Sequence, residues 1–405
     1  MPSSADPALR DAAPAAHGAA SACDVLVVGA GLVGASFAAA LADTPLSVTV
    51  VERGAPPPAA PGWDTRIYAV SPASFRFLEA VGAWQRLDPA RIQPVRRMEI
   101  FGDGGARLEF SAYDAGAGEL AHIVEAGAMQ RALWQVLATQ ANVVLRSPAA
   151  CASLAREGKR WRLALADGSA VTASLVVGAD GRDSWVRGEA GIGAKLEPYG
   201  QSGVVANFAT ERAHEATACQ WFREDGILAY LPLPGNRISI VWSAPQALAD
   251  ELVALAPAAL AERVAAAGHG RLGRLEPITP AAAFPLAVME VERLAVDGLA
   301  LAGDAAHAVH PLAGQGVNLG FGDARVLAAL VRGREIFRAP GDATVMRRYE
   351  RARREDILAM RLVTHGLQRL FSLPGRVPAA VRNLGLNFTD GLGVVKNLLI
   401  RQALG

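Results

Sequence analysis

The sequence predicts an α/β protein: a Rossmann-like nucleotide-binding domain, an antiparallel sheet inserted into it, and helices at the C-terminal end. Three observations predict this. Apolar runs end in glycine-rich or acidic turns at three distant places: DVLVVGAGLVG from Asp24, ASLVVGADG from Ala173 and LALAGDA from Leu299. Continuous β-branched runs of that kind belong to parallel strands covered on both faces. Between the second and third run lie short apolar segments separated by turn residues, the pattern of an antiparallel meander. The 405 residues, 51% of them hydrophobic, suffice for more than one core.

Residues 1–22 are rich in Ala, Pro and Ser and read as a disordered tail. They lack the basic start and apolar run of a secretion signal. DVLVV is then a buried strand, GAGLVG the turn after it, and a small-residue helix leads to a second strand, SVTVVE, ending on Glu52. In this βαβ order Gly29 permits the tight turn, Gly31 lets backbone approach a pyrophosphate, and Gly34 lets helix and strand pack closely. The helix start offers free N–H groups and positive potential to phosphates. Glu52 stands about 20 residues beyond the turn, where an acid accepts from the adenosine ribose hydroxyls. An acid there favours a free 2′-hydroxyl, and so FAD or NAD rather than NADP.

DTRIYAVSPASFRFLEAVGAW (64–84) reads as a loop entering a helix, with Ser71 as N-cap and Pro72 at its first position. RRMEIFGDGGARLEF reads as a hairpin, and MQRALWQVLATQ as a helix with Met129, Leu133, Val136 and Leu137 on one face. NVVLR and RWRLALADG are strands. SGVVANFAT, TACQWFRE, GILAYLPLPGN and RISIVWSA form the meander, a natural wall for a substrate cavity, with Trp221, Tyr230 and Trp242 read as core. LADELVALAPAALAERVAAAG reads as one long helical stretch. The nucleotide domain then comprises 23–92, 119–196 and 291–340, the substrate domain 93–118 and 197–290, and a helical region 341–405. The arginines at 347, 348, 351, 353 and 354 read as a solvated helix face. In GLGVVKNLLIRQALG, Val394, Val395, Leu398 and Leu399 form an apolar stripe, either docked on its own domain or serving as an amphipathic foot for a membrane or partner.

Composition excludes several classes. A formal charge of +1 does not suit a nucleic-acid binder. Cys23, Cys151 and Cys219 are odd in number and show no CxxC spacing, so neither disulfides nor a zinc cluster is expected, and a reducing compartment is. No apolar run approaches the roughly 20 residues that span a bilayer, so a soluble or peripheral protein is expected.

The stretch GDAAHAVHPLAGQGVNLGFGDA (303–324) poses a choice between metal and anion. Asp304, His307 and His310 could ligate, but Pro311 disturbs regular helix beside them, and a catalytic zinc wants three ligands in fixed geometry. No metal is expected. Asp304 instead falls at the carboxyl end of a parallel strand, where open α/β sheets bind ligands. Gly314 and Gly316 bare backbone amides at a helix start.

GAGLVG at 29–34, GADGRDSWVR at 178–187 and GDAAHAVHPLAGQGVNLGFGDA at 303–324 together resemble the three fingerprints of the single-component FAD-dependent aromatic hydroxylases. The unbroken HPLAGQGVNLGFGD resembles the signature of their ubiquinone-biosynthesis branch, and the resemblance runs from Asp24 to Gly405. It implies a para-hydroxybenzoate hydroxylase-like fold, with FAD as cofactor, NAD(P)H as reductant and O2 as co-substrate. The implied reaction hydroxylates the ring of an apolar, prenylated phenol or quinone precursor through a flavin hydroperoxide. Implied partners are other quinone-biosynthesis proteins, and the implied place is the cytoplasm, with peripheral contact at the inner membrane. A flavin hydroxylase of another aromatic, or an FAD-binding, non-catalytic member of a biosynthetic complex, is the alternative.

By the same resemblance Gly29, Gly31 and Gly34 bind the FAD diphosphate, Glu52 the ribose, and Arg66 lies near the cofactor. Asp180 and Arg187 support FAD and the nicotinamide. Asp304 holds the ribityl chain with Gly303 beside it among the cofactor-binding residues, and the backbone of Gly314, Gln315, Gly316, Val317 and Asn318 meets the pyrimidine ring. The Pro311 carbonyl faces the reactive carbon, and His310 is a candidate proton relay. One departure stands out: where relatives often place Asn-Arg before the helix near Met129, this chain has Ala126-Gly127, which removes a candidate FAD contact.

Overall fold

The computed structural model describes residues 20–56, 58, 62–102, 105–114, 116–308 and 315–372; of residues 315 and 361–372 it describes the backbone alone. Ser21–Val28 is the central strand of one sheet, parallel to Ala170–Gly178 on one side and Val48–Val51 on the other. Leu299–Leu301 and Val143–Arg146 extend the sheet outward, again in parallel. The strand thus begins at Ser21, and residues 21 and 22 are sheet rather than tail. Val25, Leu26 and Val27 are fully buried, the environment that a run of branched apolar residues requires.

The register decides where a site can form. Val28 lies opposite both Val51 and Gly178, and Gly178 lies opposite Leu301. The turns after all four strands therefore emerge along one edge of the sheet. The hairpin Cys151–Glu157 and Arg160–Leu165 pairs with the first half of Ala170–Gly178, and Leu299–Leu301 takes the second half.

The inserted sheet has its strands in the order His307–Ala308, Ala282–Val291, Ala194–Thr210, Arg237–Pro245, Gly226–Leu233, Thr217–Arg223, Arg97–Phe101, Arg107–Ser111, with Leu275–Pro277 beside Ala194–Thr210. One pairing departs from the antiparallel expectation: Thr217–Arg223 runs parallel to Arg97–Phe101. The chain returns to the nucleotide domain between these strands and comes back in the same direction, as a crossover demands. A third, three-stranded sheet of Ile67–Val70, Ala121–Glu125 and Gln93–Val95 lies outside the sequence expectation.

Trp221, Tyr230 and Trp242 are core, packed with residues of the helices Gln246–Ala254 and Pro257–Ala267. Tyr230 donates to the Val264 carbonyl at 2.7 Å. The stretch expected as one helix is two, because Leu255 and Ala256 are extended before Pro257. Proline disfavours helical backbone in the residue before it and is well placed at a helix start. No helix among the described residues is long and apolar enough to cross a membrane.

Helices Gln315–Arg332 and Ala343–Ser372 close the nucleotide domain. Here the solvated-face reading fails at one position: Arg353 is 2% exposed. Its Nε donates to Asp323 Oδ1 at 2.7 Å and its Nη2 to the Leu319 carbonyl at 3.1 Å. Asp323 Oδ2 accepts from the Gly303 amide at 2.9 Å and lies 2.6 Å from His307 Nε2. Burial alone would raise the Asp323 pKa, but His307 and Arg353 outweigh it and hold the carboxyl below its ordinary range. The apolar stripe near residue 395 falls outside the described residues.

Removing one member of a buried ion pair strands the other, which typically costs about 3–5 kcal/mol. Arg353→Met should therefore lower the denaturant midpoint of the cofactor-free protein sharply, whereas Arg351→Met on the exposed face should leave it unchanged. Equal midpoints for both variants would contradict the assignment.

Candidate functional site

A cleft of about 960 Å³ follows the row of strand ends. It is lined by the glycine turn, Glu52, Ala179–Asp183, Asp304, His307 and Ala308, and by Pro285–Ala287 of the inserted sheet.

The three glycines of the turn serve three different needs. Gly29 has a φ of +101°, and a Cβ there would stand 2.4 Å from the Ala179 carbonyl oxygen. A Cβ on Gly34 would stand 2.0 Å from the Gly29 oxygen. Gly31 is different, with nothing of the protein within 4 Å of where its Cβ would be, and it lines the cleft. The Glu52 carboxylate closes over this turn, accepting from the Ala30 amide at 2.7 Å and the Gly54 amide at 2.8 Å.

Asp304 sits in a short 3-10 turn, Gly303–Ala305, beyond the strand end at Leu301 rather than on the strand itself. Its side chain reaches the cleft, yet the surrounding walls displace enough water that burial raises its pKa, against the opposing pull of His307, Arg66 and Arg182. Gly303 has a φ of +62°. The helix after it is described from Gln315, and Gly316 and Val317 line the cleft. Asn318 has a side-chain duty as well: it donates to the Ala69 carbonyl at 2.9 Å and accepts from the Ser71 amide at 2.9 Å. This joins the helix to the strand that carries Tyr68.

The middle fingerprint divides. Asp180 lines the cleft but spends its carboxylate on its own turn, accepting from Ser184 Oγ and from the Val186 amide at 3.0 Å. Arg187 does not line the cleft. Its guanidinium donates to the Arg182 and Ala305 carbonyls at 3.0 Å each, tying the middle fingerprint to the turn of Asp304. His310, Pro311 and Gly314 lie outside the described residues, as does the side chain of Gln315.

Arg66 opens on the cleft, with its guanidinium 5.3 Å from the Phe284 ring centroid and no carboxylate partner among the described residues. Its loop is held firmly. Asp64 accepts from the Arg66 and Gly127 amides at 2.9 Å each, donates its own amide to Glu125 at 2.7 Å, and receives Asn207 Nδ2 on its carbonyl at 2.8 Å. Glu125 is ion-paired with Arg91 at 2.6 Å. The Ala126-Gly127 departure thus has a structural consequence: the Gly127 amide takes the Asp64 carboxylate, and a Cβ there would come within 3.1 Å of it. Sequence reasoning missed Tyr68, Arg182 and the bond between His307 and Asp323. The first two adjoin motif residues, a weak signal; the third had none.

Among the described residues no group of three His, Cys, Asp or Glu could hold a metal ion. A dinucleotide fits what is present: open space over Gly31, an Arg66 with no ion pair among the described residues, and acceptors at Glu52 and Asp304 suited to sugar hydroxyls.

Two predictions follow from this geometry. Gly34→Ala should unfold the turn and lower the thermal midpoint, while Gly31→Ala should keep the midpoint and weaken FAD binding in a fluorescence titration. A midpoint lowered equally by both would contradict the division of roles. For Asp304, folding raises the pKa, so its contribution to stability is fully present below the unfolded value of about 3.9 and falls as pH rises through the folded value. Cofactor-free Asp304→Asn should therefore melt above wild type at neutral pH, the gap closing as pH falls toward about 4, while FAD affinity drops. A gap that widens on acidification would refute this.

Comparisons with known proteins agree with the geometry. Residues 22–361 match the family described as FAD binding domain. The ubiquinone hydroxylase UbiL of Rhodospirillum rubrum is 38% identical over 386 residues, covering 94% of this chain and 89% of that protein. The 3-demethoxyubiquinol 3-hydroxylase of Escherichia coli is 36% identical over 388 residues, covering 94% and 98%. Among solved structures, the p-nitrophenol 4-monooxygenase PnpA of Pseudomonas putida superposes with a TM-score of 0.76 at 16% identity over 95% of this chain and 99% of that one. Klebsiella pneumoniae HpxO, solved with FAD, gives 0.74 at 18% identity over 94% and 98%. At such identities these structures speak for the fold, which is that of the para-hydroxybenzoate hydroxylase-like proteins. With the glycine turn, the strand-end cleft and full-length relatives in agreement, the chain belongs to the ubiquinone-biosynthesis branch of the FAD-dependent aromatic hydroxylases.

Proposed function

We propose that this chain is an FAD-dependent monooxygenase that hydroxylates the aromatic ring of a prenylated phenol or quinone precursor in ubiquinone biosynthesis. The observation that carries the reading is the cleft itself, a row of nucleotide-binding strand ends whose lining also includes Pro285–Ala287 of the inserted sheet. One wall suits a dinucleotide and the other an apolar ring.

When bound, FAD supplies the redox chemistry, taking electrons from NAD(P)H and activating O2. The protein's share is to bind, orient and exclude water. The Gly29–Gly34 turn and the start of helix Leu32–Ala39 receive the diphosphate, with Glu52 on the ribose and Asp304 on the ribityl hydroxyls. The amides that open helix Gln315–Arg332 offer partial positive charge to an anionic ring system. Arg66, fixed through Asp64 at its backbone and with its guanidinium beside the Phe284 ring, supplies positive charge at the cleft. Pro311 and His310 remain the candidates for contact with the reacting atoms. Other quinone-biosynthesis proteins and the inner-membrane surface are the proposed partners, with the C-terminal apolar stripe as the contact.

The chain should restore the hydroxylated quinone in cells blocked at one ring-hydroxylation step, and the purified protein should oxidise NAD(P)H faster when the accumulated precursor is added. If it complements no blocked step and no precursor stimulates the oxidation, the reading is wrong.

A further inference from the structure

The dyad of His307 and Asp323 has features that packing alone does not require. Asp323 is fully buried and both its oxygens are engaged, Oδ1 by Arg353 and Oδ2 by the Gly303 amide and His307. A carboxylate with that set of donors is an acceptor and nothing else. Asp323 therefore holds a hydrogen on His307 Nε2 and fixes the ring in one orientation. In a neutral imidazole whose Nε2 carries the proton, Nδ1 is an acceptor. His307 lines the cleft, two residues past the turn of Asp304. Its Nδ1 has no hydrogen-bond partner among the described residues, and the residue lines the cleft although it is only 3% exposed.

We propose that His307 is a cofactor-binding residue whose Nδ1 accepts a hydroxyl of the FAD ribityl chain beside Asp304, with Asp323 and Arg353 as the positioning residues behind it. The inference rests on the FAD reading above. Two adjacent acceptors of different charge, a carboxylate and an imidazole nitrogen, suit neighbouring hydroxyls of a polyol. They do not suit phosphate, which a lone pair would repel. Arg353 adds a structural dependence. The ring is aimed only while helix Ala343–Ser372 is docked, because Arg353 on that helix holds the second oxygen of Asp323.

Two substitutions divide the imidazole into its halves. His307→Gln places an amide nitrogen near the Nε2 position and keeps the bond to Asp323, but offers nothing at Nδ1. His307→Asn offers an amide oxygen near Nδ1 and abandons Asp323. The measurements are the thermal midpoint of each cofactor-free protein and FAD affinity by flavin fluorescence, repeated with FAD lacking single ribityl hydroxyls. His307→Gln should keep the wild-type midpoint and bind FAD roughly fivefold more weakly, the scale of one net hydrogen bond. Removing the relevant hydroxyl should weaken the wild type by a similar factor and leave His307→Gln unchanged. His307→Asn should lose midpoint while retaining more FAD affinity than His307→Gln. Wild-type FAD affinity in His307→Gln, or a midpoint lowered in it as much as in His307→Asn, would overturn the proposal alone. Failure of the wild-type protein to bind FAD would instead overturn the cofactor reading beneath it.

Discussion

The buried carboxylate of Asp323 is the interaction on which the cleft's far side depends. It collects the Gly303 amide, the His307 ring and the Arg353 guanidinium at one point inside the nucleotide domain. Each donor comes from a different segment: the turn after a parallel strand, the strand that joins the inserted sheet, and the C-terminal helix. A charge buried so completely is tolerable because its partners are close and their hydrogen bonds satisfy it. Loss of Arg353 would leave the Gly303 amide and the His307 ring aimed at a carboxylate without its guanidinium partner. The geometry of the Asp304 turn is therefore set by contacts behind the cleft as much as by those within it.

A second junction has the same logic at the cleft's other side. Asp64 spends both carboxylate oxygens on backbone amides, and its carbonyl receives Asn207 from the inserted sheet. The two sheets are joined there by directional bonds rather than by apolar contact alone, and Arg66 is presented to the cleft with no ion pair among the described residues. The glycine at 127 belongs to this junction: it gives up a side chain so that its amide can approach Asp64.

Much of the cofactor side was legible from local sequence. DVLVVGAGLVG and Glu52 announce a βαβ unit because strand, turn and helix are contiguous, although the steric demand on Gly29 comes from Ala179, far along the chain. Ser71 and Pro72 announced a helix start for the same reason, and the Ser71 side chain does accept from the Ser74 amide. The inserted sheet was legible as a meander, but its parallel pairing with Arg97–Phe101 was not, since that edge is set by a segment more than a hundred residues earlier.

The sequence by itself determined the first strand–turn–helix unit, the meander and the dinucleotide character of the glycine turn, because those are read from contiguous residues. Tertiary structure alone decided which of five arginines leaves the solvent, where Asp180 spends its charge, and which nitrogen of His307 remains for the cleft. Those outcomes are electrostatic and depend on partners brought together across 16 to 30 positions or across sheets. Helical periodicity sorts apolar from polar faces, but it cannot say that a buried carboxylate waits opposite one arginine and not its neighbours.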